Sequence, residues 1–224
     1  KRLAGADIVL VNGLGFDAFM DKLVQAAGGA PRRIAAADGL ALVQRPAGKD
    51  AHGHSHGGKE ATGKDDPHIW QSPANGKTIA ATIAAALSAV DPAGAPYYQS
   101  RLAAFAARLD ALDAEFRPRL AALPADRRSF ATEHDSFRYL ARDYGLTSHA
   151  LQGIATNAQP SAGDLARIIR QLKALKAPAV FLENVTDSRA IDQIARETGA
   201  KVGGTLYSDA LSLADGPAPS YIGL

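Results

Sequence analysis

The sequence contains no cysteine. That excludes disulfides, thiolate metal sites and CxxC redox chemistry, and it suits an oxidising compartment. An excess of charge of one sign is also missing. Lys and Arg number 25 against 23 Asp and Glu, with no basic run, so nucleic acid is not an expected partner. Aromatic residues are only 6% of a chain that is 46% hydrophobic, so the core has to be built from Ala, Leu, Ile and Val. Such a composition favours helices packed closely on a sheet. No apolar run is long enough to span a bilayer.

Read in order, the apolar run Asp7–Asn12 closed by Gly13 and Gly15 predicts a buried parallel strand. Phe16–Ala27 predicts a helix stopped at Gly28-Gly29, and Arg33–Ala37 a second short strand. Residues 46–66 form a His-rich loop without periodicity. Pro73–Val90 predicts a helix capped by Ser72. The apolar positions Tyr98, Leu102, Phe105, Leu109, Leu112, Phe116 and Leu120 step by four and three through the longest helix, with Pro118 near its end and Pro124 beyond it. Strands at Ser129–Thr132, Thr147–Leu151, Ala179–Leu182 and Val202–Tyr207 then alternate with helices at Ser136–Asp143, Ser161–Leu175 and Asp187–Thr198. Ser161 and Asp164 form a capping-box variant. Repeated β-α-β with short links implies parallel sheets. The fold class is therefore α/β: two parallel-sheet lobes joined by one long rigid helix, with a site in the cleft between them. The boundaries are 1–92 for the N-terminal lobe, 93–123 for the helix and 124–224 for the C-terminal lobe. The opening KRLAGAD reads as the tail of a helix, and both ends are expected to be cut from a longer mature protein.

Ligands of open parallel sheets bind at the carboxyl ends of strands. His134, Glu183 and Asp209 stand at such ends, and His68 lies in the other lobe on the stiff Asp-Asp-Pro-His backbone. Two imidazoles and a carboxylate suit Zn²⁺, which takes N and O ligands tetrahedrally. A fourth ligand would be water, Glu183, a loop histidine or a residue outside the chain. Each residue has a plainer role: His68 as a loop histidine beside Trp70, His134 as a hydrogen-bonding strand-end residue, Asp209 as a helix cap for Ala210 onwards. His52, His54 and His56 alternate in the long loop and could capture a divalent metal without fixed geometry, or form a solvated linker. His149 is read as facing a neighbouring element.

Five motifs follow one another: DPHIWQSP, DPAGAPYYQSRL, ATEHDSFRYLARDYGL, QGIATNAQPSAGDL and VFLENVTDSRAIDQIARETGAKVGGTLYSDALS. Together they resemble the zinc/manganese class (cluster A-I) of ABC-transporter solute-binding proteins, over nearly the whole chain. The resemblance implies an exported protein, periplasmic or at the cell surface, that carries one metal to a membrane permease. A metal-donating chaperone is a further partner, and the protein is expected to be a monomer. It carries the ligand roles onto His68, His134 and Asp209. A histidine at position 134, where manganese members tend to carry Glu, resembles the zinc branch, as does the His-rich loop, so Zn²⁺ is expected before Mn²⁺. The family has another histidine ligand upstream of a segment resembling KRLAGADIVLVNG. Either that ligand precedes this sequence, which the mid-helix opening favours, or the site has three protein ligands.

A zinc hydrolase built on the same His68, His134 and Asp209, with Glu133 or Glu183 as general base, is the competing reading. It lacks an HExxH-type motif. A structural domain would leave the histidine tract unexplained.

Overall fold

A computed structural model describes residues 3–44, 65–150, 162–175, 179–184 and 189–224. The chain divides into two compact units, Lys1–Ala111 and Leu112–Leu224.

In the first unit, β1 (Ile8–Val11) and β2 (Arg32–Ala35) pair in parallel, Ile8 opposite Arg32 and Val11 opposite Ala35. They are linked by α1 (Phe19–Ala27). Val9, Val11 and Ala35 form a small core against Met20 and Val24 of α1. The helix begins three residues later than the apolar pattern suggests. Asp17 takes the backbone N–H groups of Asn12 and Gly13 at 2.6 and 3.1 Å, and Leu14 adopts φ 55°, so residues 12–18 form a turn before the helix can start. Gly28 ends α1 in the left-handed region at φ 71°. α2 (Pro73–Val90) begins as expected: Ser72 Oγ accepts the Asn75 N–H at 3.1 Å, and Pro73 occupies the first helical position. α2 also lies against β1 and β2.

α3 (Ala95–Ala121) has 27 residues, about 40 Å at 1.5 Å per residue. The division between the two units falls inside it. Its expected apolar stripe is the face turned from solvent: Leu109 is buried, and Tyr98, Leu102, Phe105, Leu112, Phe116 and Leu120 are half-buried. The ion pairs Asp113–Arg117 and Glu115–Arg119, each spanning one turn, flank that stripe, and Asp113 also accepts the Tyr144 O–H at 3.0 Å. Pro118 falls in the last turn, where its missing N–H costs one helical bond.

The second unit is a parallel sheet in the order β4-β3-β5-β6, with β3 at Ser129–Thr132, β4 at Thr147–Ala150, β5 at Ala179–Glu183 and β6 at Lys201–Leu206. α4 (Arg138–Tyr144) is shorter than expected, because residues 133–137 turn the chain after β3. Ala131 and Val180 of the sheet, Ile169 and Leu172 of α5 (Ala162–Leu175) and Ile194 of α6 (Arg189–Thr198) make the core. The β5–β6 register shifts between Val180 and Leu182. The extra residue is absorbed at Gly203-Gly204, where Gly204 has φ 117° and a Cβ on Gly203 would fall 2.3 Å from the Phe181 ring. Ser161, at the expected cap of α5, lies outside the described residues. No helix of the described residues is long and apolar enough to cross a membrane.

Candidate metal centre

His68 stands on a segment tied to the first unit from several sides. The Asp66 N–H donates to the Val43 carbonyl at 2.8 Å. Asn12, just beyond β1, donates from Nδ2 to the Pro67 carbonyl at 2.9 Å. Asp66 itself is fully buried, and its Oδ1 accepts the His68 backbone N–H at 2.9 Å and lies 2.7 Å from His68 Nδ1. A carboxylate oxygen at that distance accepts, so Nδ1 is the donor of this contact. Phe16 and Trp70 set edges or faces against the imidazole, with centroids 6.5 and 5.3 Å away. His68 is thus held on rigid backbone with Nδ1 turned to Asp66.

His134 follows β3 in the second unit. Parallel pairing of β3 with β5 sets the strand ends side by side, and Glu183 closes β5. Glu183 Oε1 accepts the His134 backbone N–H at 2.8 Å, and Oε2 lies 2.5 Å from His134 Nδ1. On the other side of the ring, Nε2 is 3.3 Å from Asp209 Oδ2. Thr132 Oγ1 donates to the His134 carbonyl at 2.9 Å. Burial by itself would push the His134 imidazole down. Hydrogen bonds to Asp209 and Glu183, with their negative charges, outweigh it and raise the group to about 9. Without a metal, the ring is therefore a cation clamped between two carboxylates at neutral pH. With one, Nε2 and Asp209 Oδ2 are an N,O donor pair.

One plainer expectation is corrected. Asp209 caps no helix, because the chain from Tyr207 to Leu224 runs through turns and bends. Glu183 turns both its oxygens to His134. His149 lies in β4 opposite Ala131, half-buried, and burial pushes its imidazole down. His52, His54 and His56 lie outside the described residues. The pattern of strand ends picked out His134, Glu183 and Asp209, but it did not find Asp66, Asn12 or the orientation of Glu183. The one visible signal for Asp66 was a carboxylate two residues before a histidine across a proline.

The whole chain, residues 1–224, matches the sequence model of the family described as zinc-uptake complex component A, periplasmic (ZnuA). The chain belongs to this family. Within it, the iron-binding protein YfeA of Yersinia pestis is 33% identical over 98% of this chain and 67% of its own length. The manganese ABC transporter substrate-binding lipoprotein PsaA of Streptococcus pneumoniae is 26% identical over 99% of this chain and 70% of its own. Among solved structures, a manganese-bound periplasmic metal-binding protein from Candidatus Liberibacter asiaticus matches with TM-score 0.82 and 28% identity, covering 100% of this chain and 78% of that one. The periplasmic zinc-binding protein TroA of Treponema pallidum matches with TM-score 0.82 and 27% identity over 99% and 77%. Family membership makes this chain a metal-binding solute-binding protein and not an enzyme, which leaves the hydrolase reading without support.

Proposed function

We propose that the chain is the extracytoplasmic capture component of an ABC importer and that Zn²⁺ is its cargo. His68 from the first unit and His134 and Asp209 from the second are the proposed ligands. The single observation that carries this reading is the His134 centre. Glu183 anchors Nδ1, which turns Nε2 towards a ligand position shared with Asp209 Oδ2. His68 repeats the design with Asp66 as its anchor. Carboxylate behind imidazole is how ligating histidines are oriented in metal sites.

Two imidazole nitrogens and one carboxylate favour zinc over manganese, because nitrogen is the softer donor and manganese prefers oxygen. Relatives named for iron, manganese and zinc make the choice of metal the point to test. The partners on this reading are a membrane permease and, upstream, a metal-donating chaperone, with the protein acting as a monomer. His52, His54 and His56 would raise the local zinc concentration through effective molarity rather than through a tight site.

Metal analysis with competitive zinc and manganese titration tests the proposal. One tight zinc site, with manganese weaker, is the expected result, and a single site preferring manganese would overturn the assignment of cargo. Replacing His52, His54 and His56 with Ala is expected to change loading rate or stoichiometry and to leave the tight site as it was. Asp66→Ala is expected to weaken that site ~10–100-fold, the usual cost of removing the carboxylate behind a ligating histidine. Affinity unchanged in that variant would show that the aromatic neighbours alone hold His68.

A further inference from the structure

Glu183 and Asn184 end β5 together, and their side chains reach different ligands. Glu183 sets both oxygens on one residue: Oε1 accepts the His134 backbone N–H at 2.8 Å, and Oε2 lies 2.5 Å from His134 Nδ1. Asn184 brackets Asp209: its Oδ1 accepts the Ser208 N–H at 3.1 Å and its Nδ2 donates to the Ala210 carbonyl at 2.9 Å. Its own backbone N–H donates to the Leu206 carbonyl at 3.2 Å, which ties it to β6. We propose that Glu183-Asn184 is a positioning pair that sets both proposed ligands of the second unit, and so tunes affinity without touching the ion. This inference rests on the metal-centre reading above.

The argument is one of donor and acceptor count. His134 turns its backbone N–H and Nδ1 to the two oxygens of position 183, and a carboxylate meets each with a separate acceptor. A glutamine of the same shape has one acceptor and one donor group. If its carbonyl takes the backbone N–H, its amide meets Nδ1, and Nδ1 must become the acceptor. The ring proton then moves to Nε2, where it blocks the metal. Position 184 needs the opposite pattern, one acceptor for Ser208 and one donor for Ala210, which an amide supplies. An aspartate there keeps the first bond and turns a second oxygen on the Ala210 carbonyl. Each residue is therefore matched in polarity to the ligand it serves, and the two nearly isosteric exchanges, Glu183→Gln and Asn184→Asp, remove the match without opening a cavity.

The experiment is competitive zinc titration of the full chain and both variants, with ¹⁵N NMR of the His134 ring at zinc levels that saturate the parent. Glu183→Gln is expected to weaken zinc binding ~10–100-fold, in the range for partners behind a metal ligand, and to show a protonated Nε2 in place of a metal-bound one. Asn184→Asp is expected to weaken binding while the ring signals stay those of the parent. Glu183→Asp, which keeps both acceptors, is expected to keep the parent's ring signature. Zinc affinity within twofold of the parent in Glu183→Gln, with Nδ1 still protonated, would overturn the positioning role and leave the metal centre standing. So would equal weakening in both variants with no change in the ring signals, since that is loss of stability alone. A parent that binds no zinc at one per chain would instead remove the metal centre itself. Should Glu183→Gln not fold, Asn184→Asp decides: zinc affinity within twofold of the parent in that variant would overturn the positioning pair.

Discussion

His134→Ala is expected to lower zinc affinity by more than the ~10–100-fold that follows loss of a partner behind a metal ligand, because it removes the ligand atom itself. The same change should also destabilise the metal-free protein. His134 lies between Glu183 and Asp209, and Glu183 is buried. Taking away the cation removes the imidazole from between two carboxylates, and breaking a buried ion pair from one side costs about 3–5 kcal/mol. Competitive titration reads the first effect and thermal unfolding of the metal-free protein the second. Parent-like zinc affinity in the variant would rule out His134 as a ligand. A parent-like unfolding midpoint would show that the clamp adds nothing to stability.

The second large effect is a pair of opposed pH trends. The metal-free His134 titrates near pH 9, raised from the ordinary 6.5. Zinc must displace that proton, so below pH 9 apparent affinity should fall about tenfold for each unit of pH, with one proton released per ion. The sign for folding is the reverse. A histidine raised in the folded state stabilises it fully below its unfolded value and loses that contribution as pH rises through the folded one. From 6.5 to about 9, the metal-free protein should lose stability by roughly 3 kcal/mol on account of His134. Calorimetric zinc titration in buffers of different ionisation enthalpy counts the released proton, and unfolding of metal-free protein across the same range tests the second trend. Affinity flat between pH 6.5 and 8.5 would show that the ring binds without giving up a proton.

Most of the secondary structure was legible because its causes are local. The Ser72 cap, the Gly28 and Gly145 stops and the four-and-three stripe of α3 each act within a turn or two of the chain. Local reasoning failed where a side chain redirected the backbone. Asp17 holding Asn12 and Gly13 delayed α1, and the double glycine in β6 reads in sequence as a weak strand, yet it is the bulge that lets the Phe181 ring approach.

The sequence by itself determined the candidate donors, two histidines and an aspartate without any cysteine, and the α/β alternation that places such residues at strand ends. Residue type and periodicity are properties of the chain, and they need no third dimension to be read. Only the tertiary structure decided how these residues are held: that Glu183 faces His134, that Asn184 grips the turn around Asp209, and that no helix follows for Asp209 to cap. Those outcomes depend on which strand ends lie side by side in the β4-β3-β5-β6 order, and hydrogen bonds between residues 49 and 24 positions apart leave no periodic trace in the chain.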